Sequence, residues 1–357
     1  MQSSRESIFR VLLPAGFALL LFVTSVLSVT AQDGPPPLPS PQPSPSPSSP
    51  QSSQVAQQAQ EAIETIRVDT ELVDLNVQVF GRDARQAAGE LQQKDFLVLE
   101  NGVPQEIKFF ASAATPFDLV LLLDLSGSTV DKLDLVRKSA QRFVEAARPT
   151  DRIGVVTFTN EAKIVSPLTF DRTELIKRIK KIKKPEGGTK FWDALRFVLE
   201  RVLERQAGGQ RRSAVVVMTD GVDNALPDVP GDGSVTTYTQ LLRMVRESEA
   251  IVLPIYLDTE AEMIRQHRWF GVEETFVIAR RQLTQLAAES GSALYQARKV
   301  EDLKGVYEQV IRDLGMVYSL GYSPSNRQRD GSWRAISVQL VNHPEIAART
   351  KRGYFAR

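Results

Sequence analysis

The chain of 357 residues has no cysteine and only two histidines, His267 and His343. The first absence excludes disulfides, thiolate zinc sites and thiol catalysis. The second leaves little material for a histidine-based catalytic centre. Net charge is nearly absent as well: 44 basic residues stand against 43 acidic ones, for +1 overall. Such a balance gives no case for nucleic acid or an anionic surface as the main partner. Nor is there a GxSxG elbow, a Walker A loop or a dinucleotide GxGxxG. What remains for binding chemistry is oxygen, from carboxylates and hydroxyls.

At the N-terminus, Arg5 and Arg10 precede an apolar run from Val11 to Val29, and Val29-Thr30-Ala31 has the small-residue pattern of a cleavage site. Residues 1–31 are therefore expected to be a secretory signal peptide, with the mature chain starting near Gln32 in the periplasm, cell envelope or extracellular space. The alternative is an uncleaved membrane tether, because the run approaches the roughly 20 residues that span a bilayer. Pro14 interrupts that run, and the lack of a cysteine near Ala31 argues against a lipoprotein anchor. Residues 32–62 are rich in Pro, Ser and Gln and read as a disordered linker. Its Gly34 to Gln54 tract would reach about 65 Å if fully extended at ~3.1 Å per residue.

From residue 63 to 115 the pattern becomes alternating. Leu72, Leu75, Val77 and Val79 mark a strand, and Asn101-Gly102 between two apolar runs signals a hairpin, since both residues tolerate the positive φ of a type I′ turn. This segment predicts a small β module that needs something to pack on. Residues 116–315 alternate strands with helices. Strands are expected at 118–124, 153–159, 213–219, 250–257 and 293–296, and helices at 132–147, 172–182, 190–206, 237–248, 280–289 and 300–314. The fold class is α/β: a doubly wound, mostly parallel sheet with helices on both faces. Ala162 to Phe170 adds a short antiparallel edge strand. Residues 316–357 return to strand periodicity around an Asp330-Gly331 turn and are expected to pair with the early module.

The chemistry concentrates in three loops at expected strand ends. DLSGS places Asp124, Ser126 and Ser128 after a buried strand; GGT places Thr189 after two glycines at a helix start; MTDG places Asp220 after another apolar strand. Ligands of open α/β sheets bind at the carboxyl ends of strands. Two carboxylates and three hydroxyls gathered there offer only oxygen donors, which suits a hard cation. The alternative is that Asp124 and its hydroxyls merely cap the next helix, but capping does not call for Thr189 and Asp220.

In this order the residues resemble the von Willebrand factor A domain family, over roughly Pro116 to Leu314, with its metal-ion-dependent adhesion site of the form DxSxS, then Thr, then Asp. The resemblance implies a Rossmann-like domain that binds Mg²⁺ or Mn²⁺. It also implies Ser126, Ser128 and Thr189 as direct ligands, Asp124 and Asp220 as direct or water-mediated anions, and a protein partner whose Asp or Glu carboxylate completes the shell. The flanks, DFLVLENGVPQEIKFF before the core and YSLGYSPSN with KRGYFAR after it, resemble the exported relatives best known from Acidobacteria. The expected function is divalent-cation-dependent protein binding or adhesion, not catalysis. Two alternatives remain. One is a metal-assisted phosphohydrolase with Asp124 as nucleophile, although the acid/base Asp expected two residues later is replaced by Ser126. The other is a structural cell-envelope component without metal-dependent activity.

Asp193 and Asp223 lie near the rim in sequence but read as loop or capping residues. IKRIKKIKK, Ile176 to Lys184, reads as the solvated face of an amphipathic helix, with an acidic polymer as the alternative. Thr259 to Phe276, carrying Trp269 and Phe270, reads as a long loop that either sets partner specificity or packs locally.

Overall fold

The structure, a computed structural model, describes residues 72–81, 91–127, 133–183, 187–203, 211–265, 271–298 and 302–357. The expected signal peptide and linker lie outside these residues, as do Ser128, His267, Trp269 and Phe270. Residues 68–357 form one compact unit.

The central layer is a six-stranded sheet of β5 (Phe117–Asp124), β6 (Arg152–Phe158), β7 (Ala162–Thr169), β8 (Arg212–Thr219), β9 (Ile251–Leu257) and β10 (Tyr295–Ala297). Their order is β10-β9-β8-β5-β6-β7, parallel except for the antiparallel β6–β7 edge pair. All eight residues of β5 are buried, because helices cover both faces of a central parallel strand. The chain leaves β5 toward β6 on one side and reaches β8 on the other, so the sheet's topological switch point lies at the carboxyl end of β5.

One face is covered by α1 (Leu133–Ala146), α2 (Arg172–Lys180) and a C-terminal helix, Leu303–Leu314; the other by α3 (Phe191–Phe197), α4 (Tyr238–Glu247), α5 (Glu260–Arg265) and α6 (Val272–Glu289). The C-terminal helix is α7. On α1, Leu133, Val136, Ala140, Phe143 and Val144 make the buried stripe expected of an amphipathic helix. Asp171 accepts from the Glu174 N–H and caps α2; Thr237 and Gln240 form a capping box on α4. The helix expected over 190–206 departs from α geometry after Phe197 and continues as a π-helical turn, Val198–Val202. The helix expected from Arg280 begins at Val272, and with α5 at Glu260–Arg265 the described part of 259–276 is largely helical rather than a long loop.

Below this layer lie two four-stranded sheets. One orders β13 (Ile346–Arg349), β1 (Val73–Gly81), β11 (Val317–Tyr322) and β4 (Ile107–Ala111); the other orders β14 (Gly353–Phe355), β12 (Trp333–Leu340), β2 (Phe96–Glu100) and β3 (Val103–Gln105). Leu75, Val77, Phe96, Val98, Tyr318 and Val338 share a single core with residues from both sheets. In β12 burial alternates residue by residue, as it does where one face of an antiparallel sheet meets solvent. The β2–β3 turn has φ of +49° at Asn101 and +81° at Gly102, the type I′ geometry that the Asn-Gly pair favours. Within the core, Glu100 is buried and accepts hydrogen bonds from the Tyr322 hydroxyl at 2.7 Å and the Tyr354 hydroxyl at 2.9 Å. Among the described residues no helix is long and apolar enough to cross a membrane.

Candidate metal centre

The carboxyl ends of β5 and β8 sit side by side, because Leu123 pairs with Met218 in register. Asp124 and Asp220 are thereby brought to one rim, and both are fully enclosed, at 0% and 1% exposure. Oδ1 of Asp124 accepts from the Ser126 N–H at 2.9 Å, which turns the chain sharply after the strand. Its Oδ2 accepts from the Thr219 hydroxyl at 2.6 Å, and that hydroxyl in turn accepts from the Gly221 N–H at 2.9 Å. Oδ1 of Asp220 accepts from the Val222 N–H at 3.2 Å, and Oδ2 from the Thr259 hydroxyl at 2.9 Å. Ser126 is likewise buried.

Thr189 arrives on a third loop held from both sides. Asn224 accepts from the Thr189 N–H at 2.9 Å and returns its own N–H to the Thr189 carbonyl at 2.9 Å. Asn160, just beyond β6, accepts from the Gly188 N–H at 2.8 Å, and the Lys190 N–H donates to the Thr159 carbonyl at 2.9 Å. Gly188 is required by this approach: a Cβ there would stand 2.6 Å from the Asn224 amide nitrogen and 3.1 Å from Asn160 Oδ1. Asn224→Ala removes the acceptor that fixes Thr189 without touching any expected ligand. It is expected to weaken Mg²⁺ affinity about tenfold or more, as loss of supporting partners around metal ligands commonly does; isothermal titration checks this, and an unchanged affinity would refute it.

Four of the five expected ligands, Asp124, Ser126, Thr189 and Asp220, are therefore gathered at one rim, while Ser128 lies outside the described residues. A cleft of about 390 Å³ opens there, lined by Gly127, Thr189 and Asp220 with Met263 of α5 and Phe276 of α6. The 259–276 segment thus reaches the site through helical residues and through the Thr259 hydroxyl. Asp223 is fully buried and spends its carboxylate on structure: it accepts from the N–H groups of Trp192, Ala225 and Ser234 and from the Ser234 hydroxyl. Asp193 accepts from the Val235 and Thr236 N–H groups, which hold its carboxyl below the usual range against its partial burial.

Electrostatics show what the rim needs. Burial first, and the neighbouring Asp220 carboxylate second, push the Asp124 carboxyl up to about 7; hydrogen bonds from Thr219 and Ser126 offset this only in part. Two enclosed carboxylates that repel each other are costly to ionise together. A divalent cation removes that cost, and the donors available, all oxygen, suit a hard one. Among the described residues no group of three or more His, Cys, Asp or Glu that could hold a metal forms, at this rim or elsewhere, so a cation here needs hydroxyl donors beside the two carboxylates. The residues present therefore fit Mg²⁺ or a similar ion, with hydroxyls supplying what carboxylates alone do not.

Residues 118–263 match the model of the von Willebrand factor type A domain. A UPF0353 protein of Nocardia farcinica is 23% identical over 241 residues, covering 65% of this chain and 69% of its own. Among solved structures, proximal thread matrix protein 1 from the mussel byssus, with a zinc-occupied MIDAS motif, is 18% identical, with a TM-score of 0.41; the match covers 57% of this chain and 48% of that one, so this chain spans about half of the mussel protein. BatB from Bacteroides thetaiotaomicron is 15% identical, with 56% and 98% covered and a TM-score of 0.41.

Proposed function

With residues 118–263 a von Willebrand factor type A domain, we propose that this chain is an exported module that binds a protein partner through a divalent cation, Mg²⁺ or Mn²⁺, at the rim of Asp124, Ser126, Ser128, Thr189 and Asp220. The observation that carries the reading is the convergence of two enclosed carboxylates and two hydroxyl residues from three separate loops beside an open cleft. When bound, the cation supplies an electrophilic centre for an incoming carboxylate. The chain's own residues hold the donors rigid, and the Asn160 and Asn224 side chains fix the Thr189 loop in advance. Export rests on the N-terminal sequence, whether the signal is cleaved or kept as a tether.

Binding rather than catalysis is favoured by the state of Asp124. Both of its oxygens are engaged, by the Ser126 N–H and the Thr219 hydroxyl, and burial places it at the floor of the site. Burial keeps Asp124 from direct contact with a substrate, while each of its oxygens keeps a further lone pair for a cation or its bound water. Isothermal titration of Mg²⁺ and Mn²⁺ into the wild type and Ser126→Ala tests the assignment. Millimolar or tighter binding in the wild type and its loss in the variant are expected; equal binding in both would reject the site.

A further inference from the structure

Beside the metal rim, on the α2 side of the sheet, lies a second cleft of about 420 Å³. Its floor is apolar: Leu125, Phe158, Val165 and Ile182. Its rim is basic: Lys163 on β7, and Lys181 and Lys183 just after α2, are exposed and have no carboxylate partner among the described residues. Arg178 also lines it but is already paired with Glu174 at 3.0 Å, and Glu161 is the one carboxylate in the lining. The IKRIKKIKK segment therefore does more than present a solvated face. Ile182 turns into the cleft floor, while the lysines after the helix stand around its mouth.

The two clefts are joined through the same loops. Leu125 stands between Asp124 and Ser126, and its N–H donates to the Phe158 carbonyl at 3.1 Å, so the metal loop forms part of the second floor. Thr159 lines the second cleft and also accepts from the Lys190 N–H beside Thr189. The second cleft thus shares with the metal rim the loop after β5 and the end of β6.

We propose that this cleft takes an acidic polypeptide segment carrying apolar side chains, the stretch of a protein partner next to the carboxylate offered to the metal. The inference rests on the metal-dependent reading above and names the partner's chemistry. Charge complementarity selects acidic residues for the three unpaired lysines. The apolar floor selects side chains such as leucine: Val165 is half-buried and the edges of the otherwise buried Leu125, Phe158 and Ile182 line the cleft, apolar lining that an oligophosphate would leave uncovered.

The test uses the full chain and a fluorescein-labelled, end-blocked peptide of alternating glutamate and leucine, read by anisotropy in Mg²⁺ and in EDTA. A glutamate–serine peptide, a lysine–leucine peptide and inorganic tripolyphosphate serve as controls. The protein is compared with a triple variant, Lys163→Glu, Lys181→Glu and Lys183→Glu, whose Mg²⁺ affinity is measured separately by titration. Expected results are at least tenfold weaker peptide binding by the variant, at least tenfold weaker binding of both control peptides to the wild type, and Mg²⁺ affinity unchanged within about threefold. Equal peptide binding by variant and wild type overturns the assignment. So does equal binding of the glutamate–serine peptide, or displacement of the labelled peptide by tripolyphosphate at lower concentration than by unlabelled peptide, which would point to a phosphate polymer. Should the wild type bind no Mg²⁺ while the triple variant still loses the peptide, the metal reading fails and the cleft assignment stands.

Discussion

Asp124→Asn is expected to abolish Mg²⁺ binding and, at the same time, to make the metal-free protein more stable at pH 8. Both effects follow from one carboxylate. In the folded chain its carboxyl is raised to about 7 by burial and by Asp220, whereas an unfolded Asp sits near 3.8. Between those values the folded state holds a proton that the unfolded state has released. Folding stability from this group is therefore present at about pH 4 and is lost as pH rises through 7. At 1.36 kcal/mol per pK unit the loss is on the order of 4 kcal/mol, an upper figure for a pair of interacting carboxylates. An asparagine has no charge to bury, and its amide can still bond the Thr219 hydroxyl, so the loss disappears.

Addition of Mg²⁺ narrows the gap. At a hundredfold excess over its Kd, the ion adds about 2.7 kcal/mol to the wild type and nothing to the variant. Urea unfolding at pH 5 and pH 8, with Mg²⁺ and with EDTA, separates these contributions. Asp124→Asn should flatten the pH dependence and remove the Mg²⁺ effect together. A variant less stable than the wild type at pH 8 in EDTA would show that Asp124 is a structural acceptor first and a metal anion second.

The ease with which parts of this site can be read from sequence follows the physics of each part. Asp124, Ser126, Thr189 and Asp220 are legible because each follows a run of apolar residues or a pair of glycines that fixes its place at a strand end. Asn160, Thr219, Asn224 and Thr259 are not. Thr219 reaches Asp124 across 95 residues of chain, Asn224 reaches Thr189 across 35 and Thr259 reaches Asp220 across 39, and a lone polar residue carries no local sign of such a partner. The one usable signal is the Gly187-Gly188 pair, which announces a close backbone approach but not which side chains make it. The six-stranded sheet was expected almost strand for strand, because fully buried parallel strands read as continuous apolar runs. The β modules are different. Their alternation shows, but not that β2 and β4, separated only by β3, belong to different sheets, since each sheet takes strands from both flanks of the α/β layer.

That shared origin makes Arg212 the second position where a large effect is expected. Arg212 opens β8 and is 5% exposed. Its guanidinium donates to the carbonyls of Ala113 and Thr115, which lead from the β module into β5, and to the carbonyl of Val317, which leads from α7 into β11. It also stacks on Phe117 at 4.2 Å. One side chain thus ties together both crossings between the α/β layer and the β sheets. Burial, and then the nearby Arg148, push its guanidinium below the usual range, a cost that the nearby Asp151, the three carbonyls and the Phe117 ring offset. Arg212→Met keeps the packing length and the contact with Phe117 but takes the guanidinium donor from the Val317 carbonyl and leaves Ala113 and Thr115 with Arg148 alone. At about 1–3 kcal/mol for a buried group left unsatisfied, the expected loss is about 1–3 kcal/mol. Hydrogen exchange supplies the reading that global stability cannot. Protection should fall first at the amides around 113–117 and 315–319, while β8 and β9 keep theirs, because the α/β core packs without Arg212. A uniform loss across all three sheets would mean that the side chain supports the whole fold equally. No loss at either crossing would remove it from the seam.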